Sequence, residues 1–247
     1  MFEFQSQLIF PTHAVAPPGP WPSGAERLSL ESADGTELVG ICIPPDETTA
    51  KKRLILGFGG NAWNAQDVGE YLHELFPRES VIAFHYRGYA PSEGSPSANA
   101  LIADAPRIYD FAVERVKPER VVAVGFSIGS GIAAHLAAER KLDGLILVTP
   151  FDSLKAVAQS MVPWAPIGPF FEHEIDSASA LAKVDVPVAI IAAQRDEIVP
   201  PGRTEALRPN VHTLVFDRTI AGAGHNDIYA RSDFHEAMHQ AFNRLKV

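Results

Sequence analysis

Short apolar runs alternate with longer amphipathic stretches along most of this chain. Several of the runs are almost continuous in Val, Ile and Leu, as in Leu145–Val148. A strand that is buried on both faces needs such a pattern, whereas a strand with one wet face alternates apolar and polar residues. We therefore expect buried strands in the runs, which lie at 38–43, 53–58, 81–86, 121–126, 144–149, 187–193 and 211–216.

The stretches between the runs carry apolar residues at helical spacing. Strands that alternate with helices are typical of a mostly parallel sheet covered by helices on both faces. A length of 247 residues suits one large domain. The sequence thus predicts a single α/β domain over 1–247. Within the predicted helix 105–116, Pro106 should lie near the start. The predicted helices lie at 64–76, 105–116, 128–140 and 233–245.

The interval between Pro150 and Pro187 breaks this alternation. Its prolines and large apolar side chains do not form a regular crossover between strands. One interpretation is a small cap at 150–187 that supplies apolar walls to a pocket, since loops beyond the carboxyl ends of parallel strands carry the sites. The other is an irregular loop that covers the core. We predict the cap, whose side chains would include Met161, Pro163, Trp164, Pro166, Pro169, Phe170 and Phe171.

Charge and cysteine content exclude several classes of function. Lys and Arg number 21 against 30 Asp and Glu, for a net charge of −9. Such a surface repels phosphate backbones and anionic lipid, so we expect no nucleic-acid partner. No window approaches ~18 unbroken apolar residues, which argues against stable membrane insertion. The lone Cys42 excludes an intrachain disulfide and a cysteine-based zinc cluster. The start of the chain lacks the pattern of a secretion signal, and the cytoplasm is the expected compartment.

One serine stands where a predicted strand meets a predicted helix. The run 121–126 leads into Gly125-Phe126-Ser127-Ile128-Gly129. A G-x-S-x-G motif in that context places the serine on a sharp, strained turn above the sheet edge. The N–H of Ile128 would then point from the helix start toward the space where an oxyanion forms. We predict Ser127 as a nucleophile, with a plain tight turn as the alternative.

A serine hydroxyl needs a base within hydrogen-bond reach and an acid that orients the base. The chain order expected with this motif is Ser, then Asp or Glu, then His. Asp196 and His225 each follow an apolar run, so both should lie at the sheet edge that carries Ser127. We predict Asp196 as the acid and His225 as the base. Glu197 is the alternative acid.

The second oxyanion donor should come from the loop after an early strand. The segment Gly57-Phe58-Gly59-Gly60-Asn61-Ala62 is the candidate, because adjacent glycines let the backbone turn its N–H groups inward. We predict the backbone amide of Asn61 as this donor, beside that of Ile128. The alternative is a glycine-rich turn without catalytic duty.

Two other motifs point to cofactor or metal chemistry, and the chain does not complete either of them. Gly57-x-Gly59-x-x-Ala62 fits a dinucleotide fingerprint, but His85-Tyr86-Arg87 stands where an acidic ribose ligand belongs, and Arg87 could at best meet a 2′-phosphate. His235-Glu236-Ala237-Met238-His239 has the spacing of two zinc ligands on one helix face. No His, Asp or Glu follows to act as a third ligand. We predict neither a cofactor nor a metal.

Taken together, these segments resemble the α/β-hydrolases of the small bud-emergence-related type, the group that includes eukaryotic protein depalmitoylases. The resemblance implies Ser127 as nucleophile, Asp196 as acid and His225 as base, with structural roles for the Arg87–Gly94 turn. The sequence departs from that family in having Gly59-Gly60 where His-Gly is usual. The matching segments are Phe58–Ala62, His85–Gly94, Gly125–Gly129, Pro150–Leu154, Arg195–Pro200 and Gly222–Asp227.

The function expected from these residues is serine hydrolysis of a carboxylic ester or a related acyl compound, with a small-molecule acyl substrate. Thioesterase and peptidase activities use the same groups and stay open. A non-catalytic binding protein on the same fold is the alternative from another class, because a fold does not fix a function.

Overall fold

The structure is a computed structural model, and it describes residues 9–47, 52–161, 164 and 171–247. An eight-stranded sheet runs through the described residues. Its strands are β1 (Glu26–Glu31), β2 (Glu37–Ile43), β3 (Arg53–Phe58), β4 (Ser80–Phe84), β5 (Arg120–Phe126), β6 (Gly144–Val148), β7 (Val188–Ala193) and β8 (Leu214–Ile220).

The strand order in the sheet is β1-β2-β4-β3-β5-β6-β7-β8. The pairs β1–β2 and β2–β4 are antiparallel, and every pair from β4–β3 to β7–β8 is parallel. The carboxyl ends of β3, β5, β7 and β8 therefore meet at one edge of the sheet. The predicted mostly parallel sheet is confirmed, and this edge is where the candidate site lies.

Helices cover the sheet and bury two apolar layers. Side-chain caps mark two helix starts, because Asn64 accepts the Asp67 N–H at 2.9 Å and Ser97 accepts the Ala100 N–H at 3.2 Å. The helices are α1 (Ala65–Leu75), α2 (Ala98–Val116), α3 (Ile128–Glu139), α4 (Leu154–Met161), α5 (Ser177–Leu181), α6 (Pro201–Leu207) and α7 (Ser232–Arg244).

The prediction that Pro106 lies near a helix start is wrong. Helix α2 begins at Ala98, and Pro106 lies in its interior. The Ser97 cap and buried residues such as Leu101 and Ala105 extend the helix upstream of the proline. Apolar contact with the core thus outweighs the missing proline N–H.

The described parts of the 150–187 interval contain α4 and α5, joined by a bridge between Ser153 and Asp176. Trp164 is exposed, as is Met161 at the end of α4. The predicted cap residues Pro163, Pro166, Pro169 and Phe170 lie outside the described residues. The cap therefore stays a prediction.

Candidate active site

Ser127 lies between the last residue of β5 and the first residue of α3. Its backbone has φ 51° and ψ −118°, a strained conformation for a residue with a Cβ. Two hydrogen bonds hold the turn: the Ser127 N–H donates to Val148 O at 2.9 Å, and Ser130 Oγ donates to Ser127 O at 2.5 Å. The sharp strand-to-helix turn that the sequence predicts is thus present in the structure.

Gly125 and Gly129 make this turn possible, because neighbouring backbone atoms occupy the space that a side chain would need. A Cβ on Gly125 would lie 2.4 Å from Gly129 O, and a Cβ on Gly129 would lie 2.2 Å from Phe58 O. Real Cβ atoms do not approach backbone so closely. Gly129 therefore lets the start of α3 pack directly against the end of β3.

The structure brings the three predicted triad residues together at the edge of the sheet. His225 Nε2 lies 2.9 Å from Ser127 Oγ. On the other side of the ring, Nδ1 lies 2.8 Å and 2.9 Å from the two carboxylate oxygens of Asp196. All three residues are buried, with between 5% and 8% of their surface exposed. This hydrogen-bonded chain joins a hydroxyl, an imidazole and a carboxylate in the order that nucleophilic catalysis requires.

Asp196 itself is held by the turn that follows β7. Its Oδ1 accepts the N–H groups of Ile198 at 3.0 Å and Val199 at 2.7 Å. The alternative acid, Glu197, makes no such contact with the imidazole ring. Its Oε2 instead accepts the backbone N–H of His225 at 3.1 Å. Sequence reasoning missed this contact, since no motif links a side chain to a distant backbone amide.

The predicted oxyanion loop lies next to the nucleophile. A Cβ on Gly60 would be 3.7 Å from Ser127 Cβ and 3.7 Å from Phe126 O. Ile128 begins α3, so its N–H belongs to the first turn of a helix. The structure therefore brings both predicted amide donors, Asn61 and Ile128, to the neighbourhood of Ser127, and their duty as oxyanion donors stays a prediction.

Two tyrosines from the loop after β4 hold the oxyanion loop. Tyr86 Oη donates to Gly59 O at 2.8 Å, and Tyr89 Oη donates to Asn61 Oδ1 at 2.6 Å. Both tyrosines are buried. The His85–Gly94 segment therefore contacts the predicted oxyanion loop through both tyrosines.

The N-terminal segment 9–20 also binds this region through side-chain amides. Asn61 Nδ2 donates to Ile9 O, and Asn64 Nδ2 donates to Ala16 O at 3.2 Å. Gln66 Nε2 donates to the carbonyl oxygens of Gly19 and Pro20 at 3.1 Å and 3.0 Å. No pattern in the sequence points to these amide-to-carbonyl contacts.

An aromatic cluster packs around Phe126, the residue before the nucleophile. The ring centroids of Trp63, Tyr71 and Tyr229 lie 5.2, 6.1 and 5.8 Å from that of Phe126. Tyr71 Oη donates to Tyr229 O at 2.8 Å. Burial raises the pKa of Tyr229, and the charge of Asp196 acts in the same direction. The phenol therefore stays protonated.

Residues of the other two motifs, the dinucleotide fingerprint and the H-E-x-x-H segment, contact other groups of the protein. The Arg87 guanidinium binds both carboxylate oxygens of Asp104, at 2.7 and 2.8 Å, and one oxygen of Asp34 at 2.7 Å. A 2′-phosphate would have to displace these carboxylates. His235 Nε2 donates to Tyr229 O at 2.8 Å, while His239 packs edge-on against Phe76 at 5.5 Å.

Comparison with known proteins agrees with this fold. A family model described as alpha/beta hydrolase fold matches residues 54–173. An uncharacterized protein of Mycobacterium tuberculosis is 31% identical over 219 residues, which cover 85% of this chain and 77% of that protein. The chain belongs to the α/β-hydrolase family. Protein bem46 of Schizosaccharomyces pombe is 26% identical to this α/β-hydrolase over 218 residues, or 81% of this chain and 73% of that protein, which supports the resemblance to the bud-emergence-related type.

A solved structure shows the same fold. An esterase of Pyrococcus furiosus superposes on the α/β-hydrolase with a TM-score of 0.75 and 17% sequence identity, over 94% of this chain and 98% of that one. At this identity the likeness concerns the fold alone. Within the described residues of the α/β-hydrolase, no helix is both long and apolar enough to cross a membrane.

Proposed function

We propose that this α/β-hydrolase is a serine hydrolase that cleaves carboxylic ester or related acyl bonds through an acyl-enzyme. The observation that carries the proposal is the chain of contacts from Ser127 Oγ through the His225 ring to the Asp196 carboxylate, with 2.9 Å between the hydroxyl and Nε2. A strained serine beside a helix start and a glycine-rich loop adds support.

In the proposed reaction, Ser127 Oγ attacks the substrate carbonyl carbon while His225 Nε2 accepts the hydroxyl proton. The backbone N–H groups of Ile128 and Asn61 stabilise the negative oxygen of the tetrahedral intermediate. His225 then gives the proton to the leaving group, and the carbonyl of the acyl-enzyme re-forms. Asp196 keeps the ring oriented and offsets its positive charge.

Deacylation follows the same route with water in place of the serine. His225 accepts a proton from the attacking water, and when the second tetrahedral intermediate collapses His225 gives that proton to Ser127 Oγ, whose bond to the acyl carbon breaks and releases the carboxylic acid. The protein's own side chains and amides supply every proton transfer and every charge contact in this scheme. A cytoplasmic location, which rests on the pattern at the start of the chain, and the lack of a nucleic-acid partner, which rests on net charge, stay predictions.

A panel of substrates tests the proposed bond class. Turnover of p-nitrophenyl esters of increasing acyl length is compared with that of matched thioesters and aminoacyl arylamides. We expect Ser127→Ala to lower kcat on the preferred substrate by about 10⁴- to 10⁶-fold, the scale of other triads, with little change in stability. An exposed serine, Ser160, offers the matched control in Ser160→Ala. Full turnover by Ser127→Ala would refute the proposal, and a preference for thioesters or arylamides would replace the ester assignment.

A further inference from the structure

The loops that carry the acid and the base are joined by a ladder of hydrogen bonds. We define the acid loop as residues 194–200, after β7, and the base loop as residues 221–227, after β8. Gln194 Oε1 accepts the Gly222 N–H at 2.7 Å, and the Arg195 N–H donates to Ala223 O at 2.7 Å. Two residues further along, Glu197 Oε2 accepts the His225 N–H. The two loops therefore pair in one register beyond the carboxyl ends of β7 and β8.

The Glu197 contact differs from its neighbours because a charged side chain makes it. Glu197 is an exposed residue. In the part of the chain that the structure describes, no Lys or Arg lies within ion-pair distance of its carboxylate, which rules out a surface ion pair there as the reason for its position. Its contact with the base loop is with the backbone of the proposed catalytic base.

Gly224 leaves room for this carboxylate. A Cβ built on Gly224 would lie 2.9 Å from Glu197 Oε2, closer than real Cβ contacts allow. A side chain at 224 would therefore force the carboxylate, the far end of a flexible side chain, to shift and would loosen its contact with the His225 N–H. The Gly224 N–H in turn donates to Asp227 Oδ1 at 2.7 Å. Hydrogen bonds therefore hold the backbone of the base loop at both Gly224 and His225.

We propose that Glu197 is a positioning residue for His225, an inference that rests on the proposed function. Asp196 holds the ring of His225 at Nδ1, and Glu197 holds its main chain at the N–H. Two anchors on consecutive residues of one loop fix both the location and the orientation of the imidazole. A hydrogen bond with one charged partner is stronger than a neutral one, and a misplacement of about 1 Å can cost 10²-fold in rate.

Steady-state kinetics on an ester that the protein hydrolyses tests this role. We expect Glu197→Ala to lower kcat by about tenfold to a hundredfold while KM stays within about twofold. Glu197→Gln should recover most of the rate, because its side-chain carbonyl oxygen accepts the same N–H. Gly224→Ala should lower kcat less than Glu197→Ala does, because the flexible carboxylate can shift and keep part of its contact, and the double variant should be no slower than the slower single variant.

Glu236 offers the control, since it is an exposed glutamate whose carboxylate accepts from the neutral Gln240 side chain. Glu236→Ala should leave kcat unchanged. A Glu197→Ala enzyme with kcat within twofold of the wild type would overturn the inference, and so would a Glu197→Gln enzyme as slow as Glu197→Ala. Ser127→Ala separates the two levels of the account: if it retains turnover, the proposed function fails, whereas an inactive Ser127→Ala beside a normal Glu197→Ala rejects only the role of Glu197.

Discussion

The two sides of the candidate site are built in different ways. The acid–base side is made by two loops that follow adjacent strands, β7 and β8, and that bind each other residue by residue. The oxyanion side, at 57–66, is held from far along the chain, by Tyr86, by Tyr89 and by carbonyl oxygens of the segment 9–20. The first side is therefore fixed by sheet topology, while the second depends on segments that pack onto the sheet.

This difference predicts how each side fails. A change on the acid–base side should remove chemistry and leave the fold intact, because the sheet itself sets the loops. A change on the oxyanion side should alter stability together with rate, since the same contacts join distant parts of the chain. Four measurements separate the two outcomes.

The largest effect is expected from Asp196→Asn, on the acid–base side. Asparagine keeps the oxygen that accepts from Ile198 and Val199 but loses the charge that orients the His225 ring. We expect kcat to fall by about 10⁴-fold with little change in the free energy of unfolding. Asp185→Asn, at an exposed aspartate that pairs with His212, is the control. A loss of less than tenfold would argue against Asp196 as the acid.

Gly129→Ala tests the point where the two sides meet. The new Cβ would lie 2.2 Å from Phe58 O, and backbone cannot move aside as a side chain does. We expect the free energy of unfolding, measured by urea titration, to fall by about 3 kcal/mol. Gly202→Ala is the matched control, because no atom lies within 4 Å of its added Cβ. Equal stability of the two variants would show that the contact between α3 and β3 is less close than described.

Acid titration tests a histidine that supports the oxyanion side. His85 Nδ1 accepts the Ala65 N–H at the start of α1, and burial holds the pKa of His85 at about 4, below its ordinary 6.5. Between pH 6.5 and 4 the unfolded chain therefore binds a proton that the folded chain does not bind. The contribution of neutral His85 to the free energy of unfolding is complete above pH 6.5 and is lost as the pH falls toward 4.

We expect this loss to reach at most about 3 kcal/mol, and His85→Gln should remove it. The measurement is urea unfolding of both proteins at several pH values between 7 and 4. His212→Gln, at an exposed histidine, controls for the removal of an imidazole. Parallel pH profiles for the wild type and His85→Gln would contradict the account of His85.

The smallest effect is expected from Tyr89→Phe. This change removes the hydroxyl that donates to the Asn61 side chain and leaves the buried ring in place. One hydrogen bond contributes about 1 kcal/mol, so we expect kcat to fall by up to about tenfold together with a small loss of stability. Tyr109→Phe removes a comparable hydroxyl that donates to Lys141 O, just before β6 at the amino ends of the parallel strands, and it should change stability alone. A Tyr89→Phe enzyme with unchanged kcat would show that the contact of Tyr89 with Asn61 does not affect the reaction.

The sequence predicts those features that a local pattern encodes. Buried strands such as β3 show as continuous apolar runs, and the turn at Ser127 shows as a motif between a strand and a helix. Strand β1 was missed, since an edge strand with polar residues carries no such run. Helix α2 was started too late, because the rule for proline in helices ignores the buried face that extends this one.

Contacts between a side chain and a distant backbone leave no pattern in one sequence. Glu197 could be seen as a carboxylate next to Asp196, but its approach to the His225 N–H depends on the register of β7 against β8. The amide contacts of Asn61, Asn64 and Gln66 depend in the same way on where the segment 9–20 crosses the fold. Such contacts arise only in the folded chain, and they help to position the site.

The most direct test of the account is covalent labelling of Ser127. The protein is incubated with a fluorophosphonate, and adducts are counted by intact mass and located by peptide mapping. The account predicts a single adduct on Ser127, abolished in Ser127→Ala and formed far more slowly in His225→Gln, because the imidazole activates the hydroxyl. An unlabelled protein, or labelling that is equally fast in His225→Gln, would contradict the claim that these residues form a catalytic triad.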